Sequence, residues 1–278
     1  MPYLLLVSLL WAFSPGLISN RLAGLDSSFV TGVRLGLALL MFLPFLRLRS
    51  LTLRQGLLLL SLGAVQFGLM YLAYNESFKH LASHEVALFT LTTPVFVTLL
   101  ADALEGKIHL RSLSAALLAV AGTAVIVFQG KELKPTLLGL ALVQLSNIAF
   151  AVGQVGYRKF REKHGAVKDR EVFALLYGGG VLLAVAVMLT RDISLDLNTA
   201  KLLTLLYLGL IASGLGFFLW NVGATRVSAG QLAVMNNAKI PLMVAVSLLV
   251  FREHADVLRL AVSMTLLVLA VWLADRHE

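Results

Sequence analysis

The chain has 278 residues, of which 59% are hydrophobic and 14% charged, with a net charge of +8 and a mean hydropathy of +0.87. A water-soluble domain carries about 25% charged residues, so composition excludes an ordinary soluble fold. The basic residues fall in short loops between apolar runs, which is the membrane pattern and argues against a nucleic-acid partner; with no cysteine there is no disulfide and no thiolate metal site.

Met1-Pro2-Tyr3 opens directly into an apolar stretch with no charged leader before it, so it reads as a first membrane helix and not as a signal peptide. Ten spans of about 15–25 residues follow in order. The first five are expected at Pro2–Asn20, Ser27–Leu46, Gln55–Asn75, Val86–Ala101 and Ser112–Gln129. The second five are expected at Thr136–Tyr157, Val172–Thr190, Leu202–Thr225, Gly230–Phe251 and Leu260–Ala274. The fold class is therefore all-α and integral to the membrane. With the N-terminus in the cytoplasm, thirteen Lys and Arg lie on the inside and eight on the outside; the other two of the 23 are Arg34 and Lys239, both within spans. The bias predicts that both termini are cytoplasmic, in a cell membrane of bacterial inner-membrane type.

The halves repeat. Lys79 and Arg226 are 147 residues apart, as are Ala82 and Ala229, and Pro94 and Pro241. Tyr74-Asn75 and Trp220-Asn221 match with a slip of one, and Phe13, Gly16 and Arg21 match Phe150, Gly153 and Arg158 at a separation of 137. Residues 1–130 and 131–278 thus form two five-helix repeats. An odd number of crossings inverts the second against the first, an arrangement that places a transport site near the bilayer midplane.

The ninth span holds Asn236-Asn237-Ala238-Lys239-Ile240-Pro241 within an apolar run from Val227 to Phe251. A lysine at this depth costs about 3 kcal/mol on insertion scales. It must pair inside the bundle or line a water-filled cavity and meet an anion. Its counterpart by the 147-residue spacing is Thr92, so the charge sits on one half only, as a ligand requirement allows. Pro94 and Pro241, with Pro15 in Ser14-Pro15-Gly16, are candidate helix breaks. Arg34 can bind a carboxylate bidentately or act as a scaffold contact, to a carbonyl or to Glu76.

Trp11, Tyr71, Tyr74 and Trp220 occupy matching helices and can wall a cavity or pack the core. Gln144, Asn147 and Gln154 of the sixth span are polar at lipid depth, where they must face protein or a cavity, and Asn75 and Asn221, which match between the halves, are further candidate substrate contacts. Gly178-Gly179-Gly180 and the small residues of the eighth span suit close helix packing. His80 and His84 have an i,i+4 spacing but no third ligand, so no metal site is expected, and no nucleotide motif or other cofactor site is present in the sequence.

Leu10-Trp11-Ala12-Phe13-Ser14, Val33-Arg34-Leu35, Tyr74-Asn75 before Lys79, Thr93-Pro94-Val95-Phe96 and Glu105 in the first half, with Leu219-Trp220-Asn221, Val227-Ser228-Ala229, Pro241 and Glu253 in the second, resemble the drug/metabolite transporter superfamily in its ten-helix EamA type. The resemblance implies a cavity lined by spans one to four and six to nine, with five and ten at the side, and export of a small metabolite such as an amino acid. The sequence departs from that pattern at Asn236, Asn237 and Lys239. The reading is a secondary transporter, not an enzyme, moving a small organic carboxylate through the lipid bilayer by alternating access. Lys239 with Asn236 or Asn237 would take the carboxylate, Trp11, Tyr71 and Trp220 the apolar part, and Ser14 and Thr92 would line the path. With no acid at mid-membrane, Lys239 is also the candidate for proton coupling. The alternatives are an integral membrane enzyme, which needs a nucleophile–base or metal cluster at one interface, and a non-transporting sensor or assembly subunit, which a soluble domain would favour.

Overall fold

The computed structural model describes residues 1–278 except 13, 23, 82, 129–135, 194–195, 251–256 and 276–278, and it does not describe the side chains at 15, 16, 19, 20, 50, 83, 84, 126, 243–250 and 257. Phe13, Ala82, Glu253, the side chains of Pro15 and His84, and the boundary at 130/131 therefore lie outside the described residues.

The described residues form ten helical stretches and no strand. α1 comprises Pro2–Ala12 and Ser14–Arg21, and α2 is Ser27–Phe42. α3 comprises Leu53–Gly63, Ala64–Leu69 and Met70–Ser77; α4 comprises Ser83–Thr90 and Thr93–Glu105; α5 is Leu110–Val127. The second half gives α6 (Leu137–Lys163), α7 (Asp169–Met188), α8 (Thr199–Leu206, Tyr207–Leu215 and Gly216–Ala224), α9 (Ala229–Val250) and α10 (Val257–Asp275). Seven stretches are long and apolar enough to cross a membrane, and Pro2–Ala12 and Leu110–Val125 are shorter apolar helices. α9 has 22 residues, or about 33 Å of helix. Leucines such as Leu40, Leu57, Leu182 and Leu203 face outward, as hydrocarbon permits and water does not.

Local chemistry fixes the helix starts. Asp26 accepts from the amides of Ser28 and Phe29 to cap α2. Thr52 and Gln55 form a capping box on α3, while Thr136 and Asn198 cap α6 and α8. These side chains satisfy amides that the first turn leaves unpaired. Gly106 closes α4 with φ of 66°, where a Cβ would be strained.

The packing has two-fold character. α1 lies against α8 and α9, and α6 against α3 and α4; α2 lies against α8, and α7 against α3. α2 pairs with α7, α4 with α9 and α5 with α10. Exchanging the halves maps this set onto itself, and five crossings per half make the second repeat inverted. The closest approach joins α3 to α7. A Cβ on Gly63 would sit 1.8 Å from the Leu176 carbonyl oxygen, and one on Gly179 would sit 1.8 Å from that of Leu60.

Two further features were not expected. Ala64–Leu69 in α3 and Tyr207–Leu215 in α8 are wound as π-helix, a form that concentrates at functional sites. Each carries a buried polar residue, Gln66 and Ser213, separated by the same 147 residues as Lys79 and Arg226. The two repeat prolines also behave differently. α4 is interrupted by a turn at Leu91-Thr92 just before Pro94, whereas α9 stays helical through Pro241. The break expected at Pro241 is thus not made. A proline there still removes the amide that would bond the Asn237 carbonyl.

Candidate substrate-binding site

Where the halves meet, aromatic rings from three helices collect. The Trp11 ring of α1 stacks on Trp220 of α8 at 5.0 Å between centroids, with Phe217 at 5.2 Å and Phe150 of α6 at 6.1 Å. The indole Nε1 of Trp11 donates to the Ala212 carbonyl at 2.8 Å. Lys239 of α9 places its ammonium 5.7 Å from the Trp11 ring centroid, within cation–π range. The lysine is half-buried, and among the described residues no carboxylate lies within ion-pair distance of it. Of the two alternatives for Lys239, an internal acid partner is therefore not found among those residues.

The neighbouring amides have partners. Trp220 Nε1 donates to Gln154 Oε1 at 3.0 Å, and the Gln154 and Asn236 side chains exchange hydrogen bonds at 3.3 Å. Asn237 turns away from this group: its amide donates to the Leu91 carbonyl at 3.0 Å and to Thr123 Oγ1 at 3.2 Å. Asn147 donates to the Phe89 carbonyl at 2.9 Å and to Thr92 Oγ1 at 3.0 Å. Gln144 also reaches the Phe89 carbonyl and accepts from Thr92 at 2.8 Å. These donors satisfy carbonyls left open by the turn before Pro94, which is how irregular backbone survives at this depth.

Arg34 is 2% exposed. Its Nε donates to Ser213 Oγ at 3.1 Å, its Nη2 donates to the Tyr71 hydroxyl, and its Cζ lies 4.2 Å from the Tyr71 ring centroid. The Arg34 Nη1 group is buried without a hydrogen-bond partner. The alternative contact to Glu76 is not made, because Glu76 is held by Lys79, Arg191 and Ser27. Asn75 donates to Thr31 at 3.2 Å, and Tyr74 packs edge-on against Phe78. Asn221 accepts from Gln66 at 3.1 Å, while Gln66 Oε1 and Ser14 Oγ are buried and unpaired. The π turn of α8 exposes three successive carbonyls to side-chain donors. Trp11 takes that of Ala212, and Tyr177 takes those of Ser213 and Gly214.

The structure therefore brings Trp11, Trp220, Gln154, Asn236 and Lys239 together, and puts Arg34, Tyr71 and Ser213 beside them through Phe217, 5.6 Å from Tyr71. It places Asn237, Asn147 and Thr92 at the α4 turn, and Tyr74 and Asn75 toward the end of α3. Phe217, Gln66 and Ser213 were not singled out as site residues from sequence. The 147-residue spacing of the last two was the available signal.

The two ends differ. On the face away from the N-terminus, Arg191 binds Asp26 at 3.2 Å and Glu76 at 3.4 Å. Burial works against the Asp26 carboxylate, yet hydrogen bonds from Ser28, the Phe29 amide and Arg191 hold it below the usual carboxylate range. A lowered folded-state value means this contact is fully formed above the ordinary Asp range and is lost only as pH falls through the depressed one. On the N-terminal face a cleft of about 360 Å³ is lined by Tyr3, Arg161, Lys168, Arg170 and Arg226 together with Phe218 and Val222 of α8. Asp169 in that cleft is engaged by Arg161 and Tyr157.

Ten helices in two inverted repeats, with aromatic and polar side chains from both halves meeting at the centre, define a multi-pass membrane transporter. One solved crystal structure superposes with a TM-score of 0.81 at 19% identity, covering 99% of this chain and 97% of that one, which establishes the fold. The chain belongs to the EamA-like transporter family of the drug/metabolite transporter superfamily, matching the family twice, over residues 1–128 and 137–274. It is 41% identical over 276 residues to a protein of Pseudomonas aeruginosa named as a probable biotin transporter, covering 98% of this chain and 96% of that one. It is 38% identical over 258 residues to the biotin transporters of Salmonella typhimurium and of Escherichia coli K12, covering 91% of this chain and 86% of each. Its relatives are transporters and not enzymes. Their names give a substrate and no direction, so the expectation of export and of an amino acid has no support from them.

Proposed function

We propose that this chain carries biotin across the bacterial inner membrane by alternating access, with the halves 1–130 and 131–278 as the moving units. Biotin has a carboxylate tail, an apolar sulfur ring and a ureido ring. The observation that carries the reading is Lys239, half-buried against Trp11 with no acidic partner among the described residues. A cation so placed is unfavourable by itself and favours an anionic ligand. The substrate comes from the relatives' names, and it fits the carboxylate expected from the sequence. The Trp11–Trp220 stack offers a face for the apolar ring, and the cationic cleft offers a mouth that attracts an anion.

The test is the purified protein in detergent and in proteoliposomes. Biotin should raise the melting temperature in a saturable way, and labelled biotin should cross the vesicle membrane and be competed by unlabelled biotin. A shift with amino acids and none with biotin would overturn the substrate. For orientation, a His164→Cys variant of this cysteine-free chain should be labelled from the cytoplasmic side only. Labelling of that cysteine from the periplasm would reverse the topology drawn from the Lys and Arg count.

A further inference from the structure

We infer that Arg34, Tyr71 and Ser213 form a second polar subsite, which receives the carbonyl oxygen of a urea-like or amide-like head group. The inference rests on the biotin reading above and assigns the opposite end of the same ligand.

The cluster is built from donors. Arg34 Nε points to Ser213 Oγ at 3.1 Å, its Nη2 to the Tyr71 hydroxyl, and the two hydroxyls lie 3.2 Å apart. Arg34 Nη1 is buried and unpaired in a side chain that is 2% exposed, and Ser213 is fully buried. A buried donor of this kind costs free energy until it meets an acceptor. Among the described residues no carboxylate lies within ion-pair distance of Arg34, so the fold itself does not provide that acceptor there.

A carboxylate is one possible partner, but Lys239 already occupies the other side of Trp11 as a cation with no acid. One indole links the two cations: its ring faces Lys239, and its Nε1 binds the Ala212 carbonyl next to Ser213, the partner of Arg34. A carboxylate taken by Lys239 leaves the Arg34 group to a different acceptor. A urea oxygen has two lone pairs and is a strong neutral acceptor, suited to one guanidinium and two hydroxyls. The π-helical turn Tyr207–Leu215 sets Ser213 in this position. Tyr177 holds the turn by taking the Ser213 and Gly214 carbonyls. Admitting the ligand would exchange part of the Arg34–Tyr71–Ser213 contacts for hydrogen bonds to its oxygen and would give the unpaired Arg34 Nη1 an acceptor.

Three probes separate the two ends. Biotin has both groups, biotinamide keeps the ureido ring without the carboxylate, and lipoate keeps the carboxylate tail with a sulfur ring but no ureido group. Binding to purified wild-type protein, Tyr71→Phe, Ser213→Ala and Arg34→Gln is measured for each. The variants are expected to weaken biotin and biotinamide by about tenfold or more and to leave lipoate unchanged. Tyr71→Phe removes only a hydroxyl, so it keeps the test intact should Arg34→Gln fail to fold. An equal loss for all three probes would make the cluster structural, and a loss for biotin and lipoate that spares biotinamide would make Arg34 the carboxylate reader; either result overturns the inference. If wild-type protein binds none of the three, the biotin reading itself falls, a result distinct from both.

Discussion

Lys239→Met is expected to leave the protein folded and to lower biotin affinity by roughly ten- to hundredfold, the loss of one charge-assisted hydrogen bond worth about 1.5–3 kcal/mol. The ammonium sits over the Trp11 ring at 5.7 Å, and its other neighbours in α9 are apolar or have their own partners. Removing an unpaired cation from such a place holds or raises stability. Methionine keeps most of the apolar stem against the ring. Lys239→Arg is expected to rescue incompletely, because the guanidinium is larger and planar where the ammonium is a compact point charge. The measurement is melting temperature and proteoliposome flux on the same preparation. Normal flux with a lower melting temperature would show Lys239 to be a structural charge and remove it as the substrate anchor.

Much of the fold was legible because membrane insertion writes it in plain composition. Each crossing needs an apolar run, and irregular backbone in lipid must be satisfied internally. The repeat was legible because prolines and charges rarely align by accident in apolar sequence. The π-helical segments were not legible, since one extra residue per turn leaves no mark on a run that is apolar all round. Nor was the contrast between the two prolines. At Pro94 the chain supplies Thr90, Thr92 and Thr93, whose hydroxyls bond the carbonyls of Val86, Phe89 and Thr90. Asn147, Gln144 and Asn237 bond those around the turn from neighbouring helices. Pro241 is preceded instead by Asn237, Ala238 and Lys239, so α9 lacks the same hydroxyl partners and remains helical. The polar residues of the ninth span drew attention as one group, yet Asn236 faces Gln154 while Asn237 serves the backbone of α4. Side-chain direction on a buried helix depends on what packs around it, and the sequence alone does not contain that. Arg34 was legible as a buried cation, but its partners come from α3 and α8 and are set by the π turn.

Gly63→Ala and Gly179→Ala are each expected to lower the melting temperature by several degrees or abolish folding, since a Cβ at these two meets the shortest contacts of any described glycine. In each case the new Cβ would lie 1.8 Å from a backbone carbonyl oxygen of the facing helix, Leu176 for Gly63 and Leu60 for Gly179. Neither oxygen belongs to a flexible side chain, so the whole of α3 must move from α7. Overpacking of this kind costs about 1–3 kcal/mol and occasionally more, against which the better helix propensity of alanine returns about 1 kcal/mol at most. The neighbouring Gly178 supplies the control. A Cβ there would meet only Leu60 Cδ2, at 3.5 Å, an ordinary contact, so Gly178→Ala should match or exceed wild-type stability. The α3–α7 contact joins the two halves, and α3 carries Gln66 and Tyr71 just beyond Gly63. Spreading it should therefore also weaken biotin binding in whatever protein does fold. Melting curves for the three alanine variants in one detergent decide the matter: wild-type stability in Gly179→Ala would mean that α3 and α7 pack less closely than the structure has them.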